Sequence, residues 1–102
     1  MAQYMLQVGF SSEMTNSMIE SPDMFDGSWF RSVVQRLDGR VVGIWACLGK
    51  YDAVMICELP DNTSVLALTN AFRATVPLTK VNVTCLLGLD EHEAALKKAR
   101  GQ

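Results

Sequence analysis

The sequence predicts an α+β fold in which an antiparallel sheet carries its main helices on one face. Three observations carry that expectation. Strict apolar alternation opens the chain, two β-rich runs near its middle are parted only by Gly49-Lys50, and stretches of helical periodicity lie on either side of that central pair. At 102 residues the chain is expected to make one domain, 1–102, with a single core.

Taken in order, Tyr4, Leu6, Val8 and Phe10 point one way while Met5, Gln7 and Gly9 point the other, the pattern of a strand with one apolar face. From Ser11 the pattern turns helical, with Ser11 or Ser12 as cap and Met14 and Met18 one turn apart. Ser21-Pro22 interrupts. Proline suits a first helical position, so Ser21 is expected to cap a second helical segment with Phe25, Trp29, Phe30, Val33, Val34 and Leu37 as its apolar stripe. Gly39 is expected at the left-handed position that ends it. Val41 to Leu48 and Tyr51 to Leu59 follow as a hairpin whose Gly-X loop matches a type II′ turn. Pro60-Asp61-Asn62 then starts a helix presenting Val65, Leu68 and Phe72 on one face, and Val81 to Leu87 makes a fourth strand beyond Pro77. Asp90 with Glu93 resembles a capping box for a short C-terminal helix, acidic at its start and basic at its end. The order β-α-β-β-α-β is the ferredoxin-like split βαβ arrangement, plus that last helix.

Composition narrows the function classes. Apolar residues make up 49% and charged ones 20%, as in a compact globular chain, and a net charge of −2 argues against a nucleic-acid partner. The N-terminal "MAQYMLQVGF" lacks a signal peptide's basic start, no apolar run approaches a membrane span, and three cysteines without a CxxC suit a reducing cytoplasm. A soluble cytoplasmic protein with no membrane partner is expected. His92, flanked by Glu91 and Glu93, has no ligand spacing around it, so no metal or other cofactor is expected.

The hairpin register distributes the candidate residues. If Leu48 faces Tyr51, then Leu48, Ala46, Ile44 and Val42 share a face with Tyr51, Ala53, Met55 and Cys57, which packs on the helices. The opposite face holds Val41, Gly43, Trp45, Cys47, Asp52, Val54, Ile56 and Glu58. Tyr51 and Asp52 are neighbours on a strand, so they cannot enter one pocket as a dyad. Asp52 and Glu58 share a face but stand roughly 20 Å apart, too far for a carboxylate pair. The second face is rich in apolar side chains, and another subunit is expected to cover it through Gln7, Trp45, Cys47, Asp52, Val54, Ile56 and Glu58.

The stretch "LGKYDAVMICELPD" resembles the GYD domain family, small bacterial proteins named for a Gly-Tyr-Asp signature. Leu48, Gly49, Tyr51, Asp52, Glu58, Pro60 and Asp61 carry the resemblance, with Tyr4, Ser21-Pro22 and Gly39 beside them, and it covers roughly residues 2 to 93. Where the family tends towards a Gly-Asn-Val-Arg-Thr-like approach to its last strand, this chain reads "ATVPLTKVNVTC", with Lys80 near the place of the usual Arg. The resemblance implies the dimeric α/β barrel form of the ferredoxin-like fold, a superfamily that includes cofactor-independent monooxygenases, haem-handling enzymes, isomerases and ligand-binding regulators. It carries no established catalytic residue.

The leading expectation is a homodimer or higher oligomer that binds a small apolar or aromatic molecule between sheet and helices, with Tyr4, Phe30, Tyr51 and Met55 lining the pocket. The alternatives are a monooxygenase- or isomerase-like enzyme using Tyr51 or Asp52 as acid-base groups, and an assembly subunit without a ligand.

Overall fold

The structure is a computed structural model and describes residues 1–101. Eight elements follow in order: β1 (Ala2–Phe10), α1 (Ser12–Glu20), α2 (Ser28–Arg36), β2 (Arg40–Ala46), β3 (Ala53–Leu59), α3 (Asn62–Thr75), β4 (Leu78–Leu86) and α4 (Leu89–Ala99). The strands form one antiparallel sheet in the order β2-β3-β1-β4, the ferredoxin-like topology that the alternation and the hairpin predict.

Alternation decides the core. Tyr4, Leu6 and Val8 of β1 and Ala53, Met55, Cys57 and Leu59 of β3 are buried on the helix side. They meet Phe30, Val33 and Val34 of α2 and Val65, Leu68 and Phe72 of α3 in one cluster. Each large side chain fully withdrawn from water here contributes about 1.5–3 kcal/mol. Helix starts follow from local chemistry: Ser11 Oγ accepts from the Met14 N–H at 3.1 Å, and Asp61 Oδ1 accepts from the Ser64 N–H at 2.9 Å.

The predicted hairpin register holds from Gly43 to Ala46, where Ile44 faces Met55 and Trp45 faces Val54, and then shifts at Val42. The extra residue turns Val41 inward against the core, and Val42 is 46% exposed. Val41 and Val42 therefore exchange the faces assigned to them by alternation. The tip differs too. The ladder stops at Ala46 and Ala53, Cys47 donates to the Asp52 carbonyl at 2.8 Å, and residues 48–52 bend without the predicted two-residue turn.

Three helix boundaries depart from expectation. Residues 21–27 form turns and bends, so the helix begins at Ser28 instead of just after Ser21. At the end of α2, Asp38 holds the left-handed position (φ 62°), and Gly39 follows it. Asp38 N–H donates to the Gln35 carbonyl and Gly39 N–H to the Val34 carbonyl, a Schellman pair. Gly39 serves close approach: a Cβ there would lie 2.4 Å from the Glu58 carbonyl oxygen. At α4 the cap is Gly88, which puts Asp90 inside the first turn, and Glu93 pairs with Lys97 at 3.5 Å.

Candidate functional site

A cavity of about 230 Å³ opens at the end of the sheet where β1, α2 and the C-terminal end of α3 converge. Its wall is built by the 21–27 segment that the sequence assigned to helix. Phe25 from that segment meets Phe10 edge-on, with ring centroids 5.4 Å apart. Trp29 on the first turn of α2 meets Phe72 of α3 at 4.8 Å, and Phe30 lies 5.7 Å from the same ring. Met55 of β3 forms part of the floor. The lining is predominantly apolar, the character of a surface that takes apolar groups out of water.

One end of the cavity is polar. Asp26 Oδ1 accepts from the Ser28 N–H at 2.9 Å, and this bond, with the Ser28 side chain, holds the Asp26 carboxyl below its usual range. Gly27 between them has φ 80°, a conformation glycine adopts cheaply, and a Cβ there would stand 2.7 Å from Ile44 Cδ1. Asp26 is the one charged residue among those described around the cavity. It is solvated and ionised at neutral pH, suited to receive a donor or cationic group on a ligand's outward end.

The structure places two of the proposed pocket residues, Phe30 and Met55, on the cavity wall, and two elsewhere. Tyr4 is 2% exposed at the other end of β1, where its hydroxyl donates to Asn62 Oδ1 at 2.7 Å. Burial, with Cys85, Asp61 and Cys57 nearby, raises its pKa. Tyr51 lies at the hairpin tip with Lys80 Nζ 4.9 Å and Lys50 Nζ 5.9 Å from its ring centroid. Lys80 pairs with Gly9, and its stem passes within 2.9 Å of where a Gly9 Cβ would sit, which is the sheet side facing away from the helices. The expectation that Tyr51 turns towards the helices is therefore corrected: strand alternation ends at Ala53 and does not govern the loop.

Asp52 is exposed, and its groups tie the loop to β1. Its N–H donates to the Val8 carbonyl at 2.8 Å and its Oδ2 accepts from the Phe10 N–H at 2.7 Å. The remaining open-face residues form rows across the strands. Trp45, Val54, Gln7 and Asn82 make one, with Asn82 Nδ2 donating to Gln7 Oε1 at 3.2 Å. Gly43, Ile56, Met5 and Thr84 make the next, and Arg40, Glu58, Gln3 and Leu86 the third. Trp45 folds over Gly43 and remains 49% exposed. Arg40 bonds Glu58 at 2.7 Å and lowers its pKa. Cys47 is half-buried beside the tip.

Sequence reasoning missed Phe25, Asp26 and Phe72 as wall residues. The Asp26-Gly27-Ser28 tripeptide was the available signal, since Asp and Ser beside a glycine mark a turn feeding a helix start. Among the described residues no group of three His, Cys, Asp or Glu is placed to hold a metal ion, and no helix is long and apolar enough to cross a membrane.

This topology defines the chain as a ferredoxin-like α+β protein. The model of the GYD domain matches residues 4–96, and the chain belongs to that family. No curated protein matches it by sequence. Among solved structures it is similar to MtbAldR, with a TM-score of 0.59 at 15% identity over 85% of this chain and 53% of that one. It is also similar to an AsnC family transcriptional regulator from Agrobacterium tumefaciens, with a TM-score of 0.54 at 14% identity over 85% of this chain and 50% of that one. At such identities the likeness is one of fold, and the chain spans about half the length of these two proteins.

Proposed function

We propose that this GYD domain binds a small aromatic molecule in the cavity beside Trp29, and that copies of it associate through the open sheet face. The cavity carries the reading. An engineered cavity of roughly 150 Å³ admits benzene, and about 230 Å³ walled by Phe25, Trp29, Phe30 and Met55 suits one substituted ring. Asp26 at the rim favours a ring bearing an amine over one bearing a carboxylate, because it attracts a nearby cation and repels a like charge, an effect that salt screens at this exposed position. The fold shared with a transcriptional regulator agrees with a binding module but assigns no ligand. For the open face, the support is its apolar centre: Met5, Val54 and Ile56 are half-buried, and Trp45 lies opposite Val54 on the edge strand and folds over Gly43.

The two tryptophans allow separate tests, Trp29 at the cavity and Trp45 on the open face. Trp45→Phe leaves Trp29 as reporter for titration with phenethylamine, ethylbenzene and phenylacetate. The expected result is a change in Trp29 emission and a higher Tm, strongest with the amine and abolished by Thr75→Phe, which fills the cavity from its exposed rim. No response to any of the three, with Trp29 emission unmoved, refutes the binding reading.

A further inference from the structure

We infer that the outer edge of β4 is a second self-association surface, on which β4 of another copy adds antiparallel across a twofold axis at Asn82. Three observations carry this. The edge is long and bare: β4 runs for 9 residues, pairs only with β1 among the described strands, and none of the residues of α4 is buried against it. Such an edge presents a row of backbone donors and acceptors that a further strand can satisfy. The opposite edge, β2, is shorter at 7 residues and broken by the shift at Val42, a device that discourages strand addition.

The second observation is the register. Beyond an irregularity at Thr79, β4 pairs evenly with β1 from Lys80 to Leu86. Its centre reads Lys80-Val81-Asn82-Val83-Thr84, symmetric over Val-Asn-Val. A twofold axis at Asn82 sets Asn82 against itself, Val81 against Val83 of the other copy, and Lys80 against Thr84. Opposed residues in an antiparallel pair share a sheet face. The valines thus meet on the helix side and the asparagines on the open side, with no like charges opposed.

The third is exposure in the wrong place. Val83 and Cys85 lie opposite Leu6 and Tyr4 on the helix side, yet Val83 is 37% exposed and Cys85 is exposed, whereas Leu78 and Val81 nearer the start of the strand pack against the core. A second β4 sets Val81 of the other copy beside Val83 and Thr79 of the other copy beside Cys85, and makes one sheet of two joined halves. The partner is thus another copy of this chain, since the isologous pairing needs the same segment on both sides.

Asn82→Asp tests the inference with little change in shape at an exposed position, where the lost donation to Gln7 Oε1 is replaced if the Gln7 amide turns its Nε2 towards the carboxylate. At neutral pH it opposes two carboxylates at the axis, and the association constant for one assembly step is expected to fall at least about tenfold, equivalent to about 1.4 kcal/mol. Acidification below the ordinary Asp range restores it, read by analytical ultracentrifugation. Asn82→Cys in a Cys47→Ser/Cys85→Ser background is expected to give a covalent dimer on oxidation, since opposed antiparallel residues have Cα atoms about 4.5–5.5 Å apart. Thr84→Cys is expected to give none, being displaced from its own copy by four strand positions or roughly 13 Å. A chain that stays monomeric at high micromolar concentration overturns the inference together with open-face association. An oligomer that Ile56→Lys dissociates, but that Asn82→Asp leaves intact and Asn82→Cys does not cross-link, overturns the edge alone.

Discussion

Asp52 Oδ2 accepts a 2.7 Å hydrogen bond from the backbone N–H of Phe10, 42 positions earlier in the chain. The Asp52 N–H also donates to the Val8 carbonyl, so the signature aspartate stitches the hairpin tip to the end of the first strand. Asp52→Ala is expected to lower stability by about 1 kcal/mol, since solvent screening takes an exposed bond to a carboxylate below the roughly 1.5–3 kcal/mol of bonds to charged groups. Asp52→Asn retains an acceptor oxygen and is expected to lose less than half as much. Thermal melts of the two variants check this, and equal losses contradict it.

Tyr4 is the other polar anchor. Its hydroxyl bonds Asn62 at 2.7 Å at the start of α3, with the ring fully in the core. Tyr4→Phe keeps the ring and removes the bond. A loss of about 0.5–1.5 kcal/mol is expected, or several degrees in Tm, measured by urea and thermal unfolding.

The end of α2 supports a paired prediction. Asp38 has φ 62°, which costs a non-glycine residue roughly 1–2 kcal/mol and an aspartate less, so Asp38→Gly is expected to be neutral or to raise Tm slightly. Gly39→Ala would put a methyl 2.4 Å from the Glu58 carbonyl oxygen and 2.5 Å from Leu59 Cδ2. Backbone cannot yield as a flexible side chain can, and a loss of about 1–3 kcal/mol is expected. If Asp38→Gly proves the more damaging, the assignment of the left-handed position is wrong.

Alkaline pH tests the buried row. Burial pushes the Cys57 thiol up to about 11, and burial raises Tyr4 above its ordinary value as well. Both groups hold their protons more tightly folded than unfolded. Their contribution is intact below the unfolded pKa near 9 for the thiol, and is lost as pH rises through the folded values. Tm is therefore expected to fall from pH 9 to 11, and Cys57→Ala, though less stable throughout, is expected to show a shallower fall. Parallel curves for the two proteins count against this account.

Asp26 distinguishes ligand classes. Asp26→Asn removes the rim charge and leaves an oxygen that can still accept from the Ser28 N–H. Phenethylamine affinity is expected to fall several-fold and ethylbenzene affinity to stay unchanged, both measured by calorimetry.

The sequence alone determined the sheet, the inward face of β1 and β3, and the central register, because period-two alternation leaves one way to bury Tyr4, Leu6, Val8, Met55 and Cys57. It also exposed the caps at Ser11 and Asp61, whose chemistry is local. Tertiary structure decided the rest. Whether Val41 or Val42 turns inward depends on a bulge, and residues 21–27 form wall instead of helix where Phe25 packs edge-on against Phe10 of the first strand. Tyr51 follows neither period. Beyond the last ladder pair its ring goes to Lys80 on another strand, a contact between residues far apart in the chain that no local pattern encodes.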